Sequence, residues 1–252
     1  MRQTRTSLTT KTSALLLFCV AALLIPVAMW AQTVTVTGSV SVIRGKTHRK
    51  DSTNAGVVVW LTPVAESGSP ASTAALSKER FTLLQKDKKF EPHVLVVPVG
   101  AEVRFPNQDP FFHNVFSLFD GKRFDLGLYE AGTARSLHFD RPGISYLFCN
   151  IHPDMSAVII ALETHYYSTS NKDGQVTIPN VPAGAYVLHV WNEGSSPDTL
   201  KGLSMPVSVS ASSTSFETLL VPDNASLPLT HKNKYGRDYE DPAPPSPAYS
   251  RP

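Results

Sequence analysis

The sequence predicts an all-β protein built from β-sandwiches, and three observations predict it. Short β-prone runs recur along the chain, some alternating apolar and polar residues with the period of two that a half-buried strand needs. Turn-forming groups such as Asp120-Gly121, Pro142-Gly143, Asp173-Gly174 and Pro182-Ala183-Gly184 separate them. No stretch carries a sustained helical period, and many short strands with such turns read as sandwiches.

Taken in order, the chain opens with Arg2, Arg5 and Lys11, then an apolar run from Ala14 to Trp30 and Ala31 before a polar stretch. Residues 1–31 therefore read as a signal peptide that exports the protein to the periplasm or beyond the cell. The run nears the about 20 residues a membrane span needs, so an uncleaved anchor is the alternative. Strand runs follow at residues 34–43 and 57–61. A Ser/Ala/Pro linker at 65–77 leads to further runs at 81–84, 94–99, 102–105, 134–139, 144–148 and 157–162. Later runs fall at 175–178, 185–191, 205–209 and 215–221. From residue 222 to 252 the chain is polar and proline-rich, the composition of a disordered tail.

Removing residues 1–31 takes three basic and no acidic residues, so the net charge falls from +2 to −1. A nearly neutral chain offers no electrostatic support for nucleic-acid binding. Of the two cysteines, Cys19 leaves with the targeting segment. An exported chain then keeps one thiol, Cys149, in an oxidising setting where an unpaired thiol is a liability. Metal ligation explains its presence.

The stretch Phe148-Cys149-Asn150-Ile151-His152-Pro153-Asp154-Met155, with His113-Asn114 well upstream, supplies that chemistry. Thiolate, two imidazoles and a thioether are the ligand types of a mononuclear type 1 (blue) copper centre. Cys149 ends one β-like run and another begins after Met155, so Cys149, His152 and Met155 share one tight loop, its path helped by Pro153. One loop cannot complete a site alone. His113, between Phe111-Phe112 and Val115-Phe116, is placed to supply the remaining ligand where water is excluded.

On these residues, 78–163 resembles a cupredoxin of the plastocyanin and amicyanin family. The Cys-x2-His-x2-Met loop is similar to the short amicyanin type, and His113-Asn114, after Phe105-Pro106-Asn107, resembles the family's His-Asn pair. The resemblance implies a Greek-key sandwich holding one type 1 copper per chain, with His113, Cys149, His152 and Met155 as ligands. It also implies that Asn114 ties the two ligand loops together by hydrogen bonds.

A second pattern lies on the flanks. Asn171-Lys172-Asp173-Gly174-Gln175-Val176-Thr177-Ile178 and Val181-Pro182-Ala183-Gly184-Ala185-Tyr186-Val187-Leu188 resemble the second half of a carboxypeptidase-regulatory-like domain, a transthyretin-like sandwich. Gly38-Ser39-Val40 and Ala55-Gly56-Val57-Val58-Val59-Trp60-Leu61 fit its first half. The expectation is one discontinuous sandwich, 33–64 plus 165–221, with the cupredoxin inserted at a strand connection. In the alternative arrangement, 33–64 adds strands to the cupredoxin.

The remaining histidines and acids carry no site pattern. His93, before a strand, reads as structural, His138 as solvent-facing, and His48, His165, His189 and His231 as surface or packing residues. Asp120, Asp125, Glu130 and Asp140 sit among turn residues. Multicopper oxidases and copper nitrite reductases place a histidine beside the copper cysteine. Here Phe148 and Asn150 flank it and no His-x-His pair occurs, so the chain is not expected to be an enzyme. A one-electron carrier is the expected function, with a redox protein docking on an apolar patch around His152. Copper delivery, or an adhesion sandwich with an accessory copper site, are the alternatives.

Overall fold

A computed structural model describes residues 33–44, 53–64, 80–118, 121–224 and 232–239. The expected targeting segment, the 65–77 linker and most of the tail lie outside the described residues.

The first strands, β1 (Thr33–Arg44) and β2 (Val58–Pro63), show how the period of two distributes side chains. Val57, Val59 and Leu61 enter one core, while Val58 and Trp60 face the opposite way into another. Then come β3 (Phe81–Thr82), β4 (Leu84–Lys86), β5 (Lys89–Glu91), β6 (Val94–Pro98) and β7 (Ala101–Pro106). They lead to β8 (His113–Ser117), β9 (Phe124–Tyr129), β10 (Ala134–Phe139), β11 (Gly143–Phe148) and β12 (Ser156–Leu162). The chain ends its regular structure with β13 (Tyr167–Thr169), β14 (Gln175–Pro182), β15 (Gly184–Trp191), α1 (Pro197–Gly202), β16 (Met205–Val209) and β17 (Leu219–Asp223).

These strands stack in four layers. The sheet β10-β7-β3 faces the five-stranded sheet β6-β12-β11-β8-β9. Between them lies a core that includes Leu83, Val103, Phe105, Phe139, Leu147, Cys149, Met155 and Ile159. The sheets β13-β2-β15-β16 and β14-β1-β17 enclose a second core, with Val36, Leu61, Ile178, Leu188 and Val221. A third cluster joins the two pairs: Val96, Val158, Ile160 and Leu162 from the five-stranded sheet meet Val58 and Trp191. Strand β12 is thus covered on both faces, with Ala157, Ile159 and Ala161 on one and Val158, Ile160 and Leu162 on the other. Double coverage accounts for its unbroken apolar sequence.

Every ladder that β1 and β2 form among the described residues runs to a strand after residue 164. β1 lies between β14 and β17, and β2 between β13 and β15. The Asp173-Gly174 turn sits close against β1. Gly174 has φ +81°, and a Cβ there would lie 2.1 Å from the Val40 carbonyl oxygen, so only glycine fits.

Several elements depart from the sequence reading, among them β5, β8, β9, β13 and α1; β5 and β13 are three residues each, too short to show a period. β8 is buried at all five residues and shows no alternation, while β9 contains Gly127 at φ +70° and a register shift, so neither carries a clean period. α1 spans six residues, too short for a helical period. It forms because Ser196 Oγ caps the Thr199 amide at 3.2 Å and Pro197 occupies the first turn.

The expectation of a disordered tail over 222–252 is corrected in two places. Residues 222 and 223 complete β17, and 232–239 form an ordered turn. Asn233 Oδ1 accepts the amides of Tyr235 and Arg237 at 3.0 and 3.1 Å, and Gly236 adopts φ +74°. Composition describes the tail as a whole, but these local hydrogen bonds and the contacts described below give part of it a place.

Candidate metal centre

Strand pairing brings the distant histidine to the loop. β8 lies beside β11 in antiparallel register with Phe116 opposite Phe148, so the chain leaving β11 at Cys149 turns alongside His113. The loop closes on itself: the Cys149 amide donates to the Met155 carbonyl at 3.1 Å, and the Met155 amide to the His152 carbonyl at 3.1 Å. β12 then begins at Ser156, opposite Phe148.

The result is a compact donor cluster. Cys149 Sγ lies 3.7 Å from His113 Nδ1 and 3.5 Å from His152 Nδ1, and one ligand atom from each residue falls within 4.8 Å of the others. A first-row ion bonded at about 2.0–2.1 Å to imidazole and about 2.3 Å to thiolate, at trigonal angles, holds sulfur and nitrogen about 3.8 Å apart. The two sulfur–nitrogen distances of the cluster lie close to that separation. Its soft thiolate with two imidazoles is the donor set that suits copper and, as the main competitor, zinc. Met155 is fully buried in the same core cluster as Cys149, so the fourth expected ligand is brought to the centre's surroundings.

Burial is graded across the cluster. Cys149, His113 and Met155 are fully buried, and His152 is half-buried between the exposed Ile151 and Pro153. The Phe111 ring packs against both imidazoles, with centroids 5.3 Å from His113 and 5.5 Å from His152, while Phe112 is exposed.

Electrostatics follow from this burial. Burial pushes the Cys149 thiol up, while the backbone amides of Asn114, Ile151 and His152 directed at it work against that rise. His152 is lowered, first by burial and then by its neighbours His113 and Lys88, with Asp109 acting against them. A lowered imidazole stays neutral, the form that binds metals.

A residue the sequence reading missed orients His113. Asp109 Oδ2 lies 2.7 Å from His113 Nε2, and both side chains are buried. The Asp109 carboxylate also accepts the Asp87 amide at 2.7 Å and the Lys88 amide at 3.0 Å. Burial pushes this carboxyl up, but those two amides and His113 outweigh it and hold it below the ordinary carboxylate range. An ionised acceptor at Nε2 keeps the proton there and leaves the Nδ1 lone pair facing Cys149, a carboxylate–histidine–metal arrangement. Asp109 lies four residues before His113, but loop spacing alone does not aim a side chain, so only the fold reveals it. Asn107 shapes the turn: its Oδ1 accepts the Asp109 amide at 3.0 Å, and its Nδ2 donates to the Phe111 carbonyl at 2.8 Å.

Asn114 links to the cysteine loop through its backbone and not through its side chain. Its side chain does not bridge the two ligand loops but donates to Asp125 Oδ1 on β9 at 2.6 Å. The link to Cys149 comes from its backbone amide. β9 is the immediate partner of β8, so Asp125 is the nearer acceptor.

The other described histidines are placed away from this cluster, and His48 and His231 lie outside the described residues. His93 bonds Glu193 at 2.8 Å and faces the Ser156 carbonyl at 3.2 Å; His189 stacks on Trp60 at 5.1 Å; His138 and His165 are exposed. Among the described residues, no other group of three or more His, Cys, Asp or Glu side chains is arranged to hold a metal ion.

Comparison with known proteins adds the following. A family model described as polysaccharide lyase family 4, domain II, matches residues 153–216, less than half of the chain. It names a different family from the carboxypeptidase-regulatory-like one that residues 171–188 resemble. No curated protein matches the chain. A purple cupredoxin from Nitrosopumilus maritimus is similar at 21% identity over 32% of this chain and 99% of that one, with a TM-score of 0.30. An amicyanin variant in its oxidised form is similar at 20% identity over 41% of this chain and 92% of that one, with a TM-score of 0.32. A copper-containing nitrite reductase from Thermus scotoductus SA-01 is similar at 24% identity and a TM-score of 0.34. It is covered over 28% of its length by 49% of this chain.

Proposed function

We propose that this chain is an exported type 1 copper protein that carries one electron at a time, holding one copper through His113, Cys149 and His152 with the Met155 thioether as a weak axial donor. The observation that carries the reading is the preset cluster: one buried thiol 3.5 and 3.7 Å from two imidazole nitrogens, one of them oriented by a buried carboxylate. When bound, copper supplies a one-electron couple.

The chain's residues do the rest. Asp109 fixes the His113 tautomer, Phe111 covers both imidazoles, and the buried thiol is kept from water. Holding the ligands rigidly limits rearrangement between the two charge states. His152, half-buried beside exposed Ile151, with Phe112 also exposed, offers the entry point for a redox protein, since such encounters use small interfaces. The reading includes no catalytic centre, and export through residues 1–31 puts the protein in the periplasm or outside the cell.

The test is Cu(II) titration of the purified chain, followed by visible absorption, spin resonance and voltammetry, with Zn(II) as competitor. An intense thiolate-to-copper band, lost in Cys149→Ser while the β fold persists, together with a reversible one-electron wave, is the expected result. An intense band that survives in Cys149→Ser overturns the assignment. A chain that takes only Cu(I) and yields it to chelators is a delivery protein instead.

A further inference from the structure

The ordered piece of the tail does not sit at random. Residues 232–239 close a turn in which the Asn233 amide donates to the Arg237 carbonyl at 2.8 Å and the Gly236 amide to the Asn233 carbonyl at 2.9 Å. That turn is fastened at three points around the cysteine. The Tyr239 hydroxyl donates to the Cys149 carbonyl at 2.7 Å. The Lys234 amide donates to Asn150 Oδ1 at 2.9 Å. Lys234 Nζ meets Asp125 Oδ2 at 2.8 Å, and Asp125 Oδ1 holds Asn114, whose backbone amide is directed at the Cys149 sulfur.

We propose that residues 232–239 are a strap on the metal loop, with Tyr239 and Lys234 as positioning residues for Cys149. The strap grips the chain on both sides of the peptide that follows the thiol. Cys149 is held by its carbonyl through Tyr239 and by its amide through Met155, and Asn150 is held through its side chain. Nothing in the Cys-x2-His-x2-Met loop itself provides the outer two of these bonds. They come from a segment about ninety residues further along the chain.

Two consequences follow. First, the strap opposes the opening of the loop that any reagent must use to reach the buried sulfur. Second, Lys234 neutralises the Asp125 carboxylate that holds Asn114, and the Tyr239 hydroxyl points the positive end of its dipole at the Cys149 carbonyl. Both favour the less positive charge state of a bound metal, so the strap raises the reduction potential. This second consequence rests on the copper reading, and the first does not.

The test uses the full chain with Cys19→Ser, so that Cys149 is the single thiol, and compares it with Tyr239→Phe and Lys234→Met in that background. In the metal-free protein, the rate at which a disulfide reagent labels Cys149 is expected to rise about fivefold in Tyr239→Phe, the weight of one ordinary hydrogen bond. In the copper-loaded protein, each variant is expected to lower the potential. A threefold change in the Cu(I)/Cu(II) ratio is about 28 mV, at about 59 mV per decade for one electron. Unchanged labelling and unchanged potential in both variants overturn the strap, even if melting temperatures fall, because a merely structural contact moves only the latter. Faster labelling in a protein that shows no blue band supports the strap and removes the copper reading.

Discussion

Replacing Asp109 by asparagine tests the geometry most directly. Both carboxylate oxygens face N–H groups: Oδ1 the Asp87 amide, and Oδ2 the Lys88 amide and His113 Nε2. An asparagine must turn its NH2 toward one side, so a donor meets a donor in either orientation. The contact with His113 is buried at both ends, with side chains 0% and 5% exposed, and solvent cannot replace what is lost. A hydrogen bond to a charged group contributes about 1.5–3 kcal/mol. For a chain of this size, at about 2–4 °C per kcal/mol, the metal-free protein should melt about 3–12 °C lower. Without an ionised acceptor at Nε2, the proton is also free to occupy Nδ1, the atom that faces the cysteine. Removing such an outer partner of a ligand histidine costs about 10–100-fold in metal affinity. Chelator competition for Cu(II) reads the affinity, and calorimetry of the metal-free chain reads the stability. An asparagine variant that binds copper within twofold of the parent and melts at the same temperature would refute the argument. A variant that melts lower but binds equally well would place Asp109 in the service of the fold alone.

Three further outcomes are expected. Met155→Leu, a volume-conserving change costing under about 1.5 kcal/mol, should keep the copper and raise its potential, because losing a weak axial donor favours Cu(I); an unchanged potential removes Met155 as the axial ligand. Trp191→Ala should cost about 3–5 kcal/mol, because Trp191 is 2% exposed and joins Val58 to Val158 and Ile160; the same cluster means that an excised 76–164 fragment should bind copper yet melt lower than the full chain, and denaturant unfolding of both reads the loss. The His93–Glu193 pair should add stability at acidic pH. The Glu193 carboxylate raises the His93 pKa against the opposing effect of burial, so the contribution is complete below about 6.5 and is lost as pH rises through the raised value. Both side chains are over a third exposed, so it should stay under about 1 kcal/mol, and melting His93→Gln against the parent from pH 5 to 8 checks the sign.

By itself, the sequence determined the all-β class, most strand positions and the candidate ligands on the Cys149 loop. These rest on local physics: a period of two marks a strand's faces, and a thiol, imidazole and thioether packed into one turn between strands leave few other uses. His113 was legible because it is an imidazole in an aromatic-rich run, although the strand that carries it was not, since complete burial erases alternation. Tertiary structure alone decided which groups support the ligands. Asp109, Asp125, Lys234 and Tyr239 are ordinary polar residues. Asp109 sits only four residues from His113, but loop spacing does not aim its side chain. Lys234 and Tyr239 reach across about a hundred and about ninety residues, which no local pattern encodes. Packing decided the rest in the same way. The pattern of β12 says that both faces are buried, but a period of two does not say against what. Only the stacking of four sheets set Val158 and Ile160 against Val58 and Trp191, because burial is a requirement of a face and its partner is chosen by the whole chain.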